Sequence, residues 1–94
     1  MPGHPYTENQ LFFRAVNEKV LELSTPAGER VSVHCECGVI TCGERIDLAL
    51  DESLAVRSLS NHFVLAPGHE QPAEGDRVVD VHDRYVVVEH DPPQ

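Results

Sequence analysis

All the cysteines of this chain lie within the run His34-Cys35-Glu36-Cys37-Gly38-Val39-Ile40-Thr41-Cys42-Gly43-Glu44. Thiols at that density can form a disulfide, act as a reactive centre, or bind a metal as thiolates. Cys35 and Cys37 are one residue apart, so on a strand their side chains run side by side and a bridge between them would be strained. A Cys37–Cys42 bridge would leave one thiol over. The odd count, in a chain whose MPGHPYTENQ start has neither a basic segment nor an apolar core, points to reduced thiols in the cytoplasm rather than a secreted disulfide framework. Metal ligation explains more of the local sequence. Gly38 and Gly43 each follow a cysteine, and glycine lets a tight turn aim backbone N–H groups at a thiolate. A C-x-C pair with a third cysteine on the following turn can converge three sulfurs on one ion, about 2.3 Å from each.

A structural zinc site needs a fourth donor. Among six histidines, His34 is nearest in sequence, but on a strand it points away from Cys35 and Cys37. His4 and His90 fall in expected tails, and His62 and His82 read as surface or half-buried strand residues. His69 follows Pro67-Gly68, a turn that fixes the chain direction at a strand end and can present an imidazole to a neighbouring hairpin. The expected site is therefore Zn2+ held by Cys35, Cys37, Cys42 and His69. Were His69 not a ligand, three sulfurs and a water would make a hydrolytic centre with Glu36, Glu44 or Glu70 as base. Three thiolates donate enough charge to make such a water a poor acid. Ser53, Ser58 and Ser60 read as helix and loop residues rather than nucleophiles.

The elements that must position these ligands are legible from periodicity. Residues 1 to 6 read as a lead-in. Thr7 and Gln10 fit a capping box, and Phe12, Val16, Val20 and Leu23, with Leu11 and Ala15, form an apolar stripe for an amphipathic helix of about four turns ending near Pro26 and Gly28. That stripe is expected to face the core. Val31, Val33, Cys35 and Cys37 alternate with Ser32, His34 and Glu36, and Ile46, Leu48 and Leu50 alternate with Asp47 and Ala49, giving a cysteine-tipped antiparallel hairpin. Asp51 is the expected N-cap of a short helix over 52 to 59, with Leu54, Val56 and Leu59 on its apolar side and Asn61 closing it. His62 to Ala66 is a strand, Glu70 to Asp76 an acidic loop, and residues 77 to 82 and 84 to 89 a final hairpin whose Val86-Val87-Val88 is apolar on both faces, as in an interior strand.

The expected fold class is α+β: an N-terminal amphipathic helix, a small antiparallel sheet, a short second helix and a zinc-stapled hairpin. Ninety-four residues fit one domain, 1 to 94, with an ordered core over about 7 to 90 and flexible ends. A chain of this size buries only roughly 60 to 65% of its unfolded surface, so a metal cross-link would add needed stability. Seven Lys and Arg against sixteen Asp and Glu give a formal charge of -9, which argues against a phosphate-binding surface. No apolar run approaches the ~20 residues of a membrane span.

The segments RAVNEKVLEL, VHCECGVITCGERIDLAL, AVRSL, HFVLAPGHE and RYVVVE, within a resemblance that reaches from Asn9 to Glu89, resemble a family of small, mostly uncharacterised actinobacterial proteins. The resemblance implies a bacterial protein with three cysteines and one histidine as a metal set, corresponding to Cys35, Cys37, Cys42 and His69; it implies no activity. The chain departs from the family pattern at Val39-Ile40-Thr41, where Asp and Pro are common, and at Asp83-Arg84, where a glycine turn is common. The C-x-C start also resembles the CDGSH iron–sulfur proteins, whose later C-D-G-x-H motif this chain lacks. The expected function is that of a zinc-stabilised protein-binding or regulatory module whose acidic face suits a basic protein segment. A thiol-based redox or zinc-sensing switch is the alternative, ahead of a zinc hydrolase or an iron–sulfur protein. Neither nucleic acid nor membrane is an expected partner.

Overall fold

The computed structural model describes residues 5–22, 30–39 and 41–90. In chain order these form α1 (Pro5–Glu22), β1 (Arg30–His34), β2 (Arg45–Ala49), α2 (Leu50–Arg57), β3 (His62–Leu65), a 3-10 turn (Pro72–Glu74), β4 (Arg77–Val81) and β5 (Val86–Glu89). The class is α+β, as expected. His4, Leu23, Pro26, Gly28, Ile40 and the chain ends lie outside the described residues. No described helix is long and apolar enough to cross a membrane.

The strands form two antiparallel sheets rather than one, β1-β2 and β3-β5-β4. β1 and β2 pair from Arg30 opposite Ala49 to His34 opposite Arg45. Val31, Val33, Ile46 and Leu48 are buried while Ser32 and Asp47 are exposed, the alternation that a half-buried hairpin requires. β5 is the central strand of the second sheet, and Val86, Val87 and Val88 are buried on both faces. The β4–β5 turn forms at Asp83-Arg84 without glycine. The His82 N–H donates to the Tyr85 carbonyl at 2.8 Å, and the His82 and Tyr85 rings stack with centroids 4.3 Å apart.

Glu36 joins the two sheets. Its backbone N–H donates to the Val64 carbonyl at 2.8 Å, and its Oε1 accepts the Val64 N–H at 3.0 Å. The alternation places Glu36 within the first strand, on the side of Ser32 and His34. Instead β1 ends at His34 and Glu36 is buried, because its carboxylate supplies the acceptor that a further strand residue would have offered. Burial pushes that carboxyl up to about 7, against the pull of the Asn17 amide and the Val64 N–H.

The first helix turns a different face inward from the expected stripe, of which Val20 packs against the core while Leu11, Phe12 and Ala15 are exposed. Its buried positions are Thr7, Gln10, Arg14, Asn17 and Leu21, a three–four spacing carried mostly by polar side chains, whereas Leu11 and Phe12 are 47% and 59% exposed. Particular hydrogen bonds override the apolar stripe. Arg14 donates to the carbonyls of Arg57, Leu59 and Ser60, capping the C-terminal end of α2 with a cation where orphan carbonyls gather. The guanidinium also lies 5.6 Å from the Phe63 ring centre. Asn17 accepts the His34 N–H at 2.8 Å and donates to the His34 carbonyl at 2.9 Å and to Glu36 Oε2 at 2.7 Å, so one side chain pairs with β1 as a neighbouring strand would.

The expected capping box at Thr7 does not form, since the helix starts at Pro5. The Thr7 hydroxyl contacts His90 Nε2 at 2.9 Å, and the Gln10 amide donates to Asp76 at 3.0 Å. The second helix likewise begins earlier than expected, over 50 to 57 rather than 52 to 59. Glu52, not Asp51, supplies the cap by accepting the Ala49 N–H at 2.9 Å. Its buried side is Ser53 and Val56, while Leu54 and Leu59 are exposed.

This arrangement predicts an inverted mutational profile for α1. Arg14→Ala should lower unfolding free energy by about 1–3 kcal/mol, the cost of losing three part-buried hydrogen bonds from a charged donor together with its packing on Phe63. Phe12→Ala, measured in dilute solution, should cost less than about 1 kcal/mol. Denaturant unfolding checks both, and a larger loss at Phe12 than at Arg14 would contradict the polar inward face.

Candidate metal centre

Two turns bring the site together. The β1–β2 ladder extends one step past its strands, with the Cys35 N–H donating to the Glu44 carbonyl at 3.0 Å, and the Cys42 N–H closes a turn onto the Val39 carbonyl at 2.9 Å. Beyond β3, the His69 N–H donates to the Ala66 carbonyl at 3.0 Å and Gly68 has φ +85°. Proline at the second position and a left-handed glycine at the third make Ala66-Pro67-Gly68-His69 a type II turn. The hairpin tip and this turn face one another, joined at their bases by Glu36 and Val64.

The ligand atoms of Cys35, Cys37, Cys42 and His69 all lie within 4.8 Å of one another. His69 Nδ1 is 3.6 Å from Cys35 Sγ and 3.5 Å from Cys42 Sγ. In a tetrahedral site with Zn–S near 2.3 Å and Zn–N near 2.0–2.1 Å, the S···N edge is about 3.5–3.6 Å. The donor set and its spacing fit such an ion. His34, the histidine nearest in sequence, lies outside the cluster, its ring 6.1 Å from that of Phe13. His62 is half-buried and His82 exposed, as expected for strand histidines.

Backbone donors surround the sulfurs. Cys35 Sγ accepts the Ala66 N–H at 3.2 Å and the Cys37 N–H, and Cys37 Sγ accepts the Val39 N–H. Burial nevertheless pushes both thiols up; Cys37 and Cys42 add to the shift at Cys35, and Cys42 adds to that at Cys37, where the contact with Cys35 opposes it. Three thiolates so close together would have no counter-charge among themselves, and a divalent cation at their centre would supply it. The Ala66 donor was not anticipated from sequence. It lies 31 residues from Cys35, and a backbone N–H carries no residue-type signature.

The cluster has a dry side and a wet side. Cys35 and Cys37 are buried, whereas Cys42 and His69 are half-buried at the edge of an open depression of about 420 Å³ that Val39, Gly43, Glu44 and Gln71 also line. Glu36 cannot serve as a base here, because its carboxylate is turned to Asn17 and Val64. Glu44 lines the depression and Glu70 is half-buried beside His69.

A second polar constellation lies at the N-terminal end of α1. Thr7 Oγ1, His90 Nε2, His90 Nδ1 and Asp76 Oδ1 are linked by two contacts of 2.9 Å, the order of a hydroxyl–imidazole–carboxylate triad. Asp76 also accepts from the Tyr6 hydroxyl at 2.5 Å, from Gln10 and from the Gln71 N–H at 2.9 Å. All three triad-like residues are buried, with His90 packed against Gly75. The constellation therefore anchors the helix start to the loop before β4 rather than presenting a nucleophile. His90, expected in a tail, is the imidazole at its centre.

Comparison of the chain with protein families, with curated proteins and with solved structures gives no match.

Ligand identity is open to direct test. His69→Ala should weaken metal retention by at least about tenfold, while His34→Ala should leave it unchanged, as measured by competition with a chromophoric chelator. Equal losses in both variants would mean that the histidine donor is misassigned.

Proposed function

We propose that this chain is a small zinc-binding module in which Cys35, Cys37, Cys42 and His69 hold one Zn2+ as a structural cross-link. The observation that carries the reading is the convergence of three sulfurs from one hairpin and an imidazole nitrogen from the turn after β3, with two sulfur–nitrogen distances at the edge length of a zinc tetrahedron. The ion ties the β1–β2 hairpin to the turn after β3 and offsets the small core of a short chain. Four protein ligands leave no open position for water, which favours a structural over a hydrolytic role. The all-thiolate and imidazole set favours zinc over hard cations. Reduced thiols fit a reducing compartment such as the cytoplasm.

The module's work is then binding, through its surface. A groove of about 460 Å³ between α2 and the β3-β5-β4 sheet carries Asp51, Glu52 and Asp80, with Ala55, Val79 and Val87 among its apolar lining. Together with a formal charge of -9, this suits a protein segment with basic flanks and an apolar centre. Binding that does not weaken as salt rises would remove this assignment.

A second reading, a thiol switch, is favoured by the half-buried Cys42 at the open depression. Oxidant reaching that sulfur would release zinc and loosen the hairpin from the turn.

Elemental analysis of purified protein should find about one zinc per chain in colourless solution. Removal by a strong chelator should lower the melting temperature by more than about 10 °C. Stoichiometric iron with a visible chromophore, or an unchanged melting curve without metal, would overturn the structural zinc reading. Zinc release by mild peroxide ahead of unfolding would favour the switch over the purely structural role.

A further inference from the structure

The outward face of α1 has a pattern of its own. With Gln10, Arg14 and Asn17 turned inward, the opposite side presents Glu8, Phe12, Ala15 and Lys19, all exposed. These positions follow a four–three–four spacing, the seam of a coiled coil. Leu11, 47% exposed, and the half-buried Val16 flank the seam on its two sides. An apolar centre between one acidic and one basic end, unused by the chain's own core, is a helix face prepared for another helix.

Its register selects the occupant. If a second copy of the helix lies antiparallel, with the two-fold axis between Phe13 and Arg14, position 12 of one copy meets position 15 of the other, and position 8 meets position 19. The bulky Phe12 then packs against the small Ala15 twice, and Glu8 meets Lys19 twice. A parallel pairing would instead set Glu8 on Glu8 and Lys19 on Lys19. Antiparallel coiled coils form layers of this kind, and the resulting contact is isologous, as a two-fold dimer requires. Lys19 is free to take part, since its ion pair with Glu22 at 3.5 Å is fully at the surface, with the Lys19 side chain 70% exposed.

We propose that a second copy of this chain docks on the outer face of α1, forming an antiparallel two-fold dimer through Phe12–Ala15 packing and Glu8–Lys19 ion pairs. The seam spans about three turns, or roughly 16 Å of helix, and each chain carries a formal charge of -9. Both facts make the dimer concentration-dependent rather than obligate. The inference does not depend on the metal centre, none of whose four residues belongs to α1.

Sedimentation equilibrium of the metal-loaded full chain, at about 0.15 M ionic strength to screen the net charge, tests it. The mass should rise from 10.4 kDa toward twice that value as concentration increases. Phe12→Glu should raise the dissociation constant by at least about tenfold with an unchanged circular dichroism spectrum. Glu8→Lys and Lys19→Glu should each weaken the dimer, and the double exchange should restore it, which only a reversed 8-to-19 register does. A chain that stays monomeric to millimolar concentration, self-association indifferent to Phe12→Glu, or charge exchange without rescue would overturn the proposal.

Discussion

Three sulfurs and an imidazole nitrogen crowded within 4.8 Å are the constraint around which this small protein is arranged. The core is modest, built from a valine-rich sheet and a two-stranded hairpin, and no disulfide ties one to the other. They meet at the paired hydrogen bonds between Glu36 and Val64, and beside these the donor cluster converges. The two links are adjacent in sequence because Glu36 sits between Cys35 and Cys37. Fixing one therefore orients the other: when Glu36 pairs with β3, the cysteines on either side are carried toward the turn that bears His69.

The helix is held by the same economy of means. A chain with few large apolar residues docks α1 through directional bonds, using Arg14 to cap α2, Asn17 to extend β1 and the Tyr6, Gln10 and His90 contacts to Asp76. Directional contacts are individually modest in net free energy but expensive to break when buried. They specify one docking geometry, where an apolar face would tolerate several. Two atoms in this seam, Gln10 Oε1 and Arg14 Nε, have no partner among the described residues, so the helix is attached by a network that is close to saturated without being complete.

Local signals in the sequence were sound guides, and long-range polar pairing was not. The alternation of Val31, Val33, Ile46 and Leu48 set the hairpin's inner face, the run Val86-Val87-Val88 marked a central strand, and Pro67-Gly68 marked the turn that presents His69. Each of these is decided within a few residues by sterics and burial. The phase of α1 was misread because the apolar stripe through Leu11 and Phe12 is a local feature, whereas Arg14 and Asn17 find partners 43 and 17 residues away. The burial of Glu36 has the same origin, its acceptor role being set by a strand 28 residues on. His90 sat too near the end of the chain to look like anything but a tail, yet Asp76 and Thr7 bury it.

The central claim is that this convergence of donors is a closed four-ligand metal site. X-ray absorption at the metal edge of the protein as purified measures it directly. The account predicts zinc with three sulfur neighbours at about 2.3 Å and one nitrogen at about 2.0–2.1 Å. An oxygen in the first shell, fewer than three sulfurs, or a metal other than zinc would contradict it.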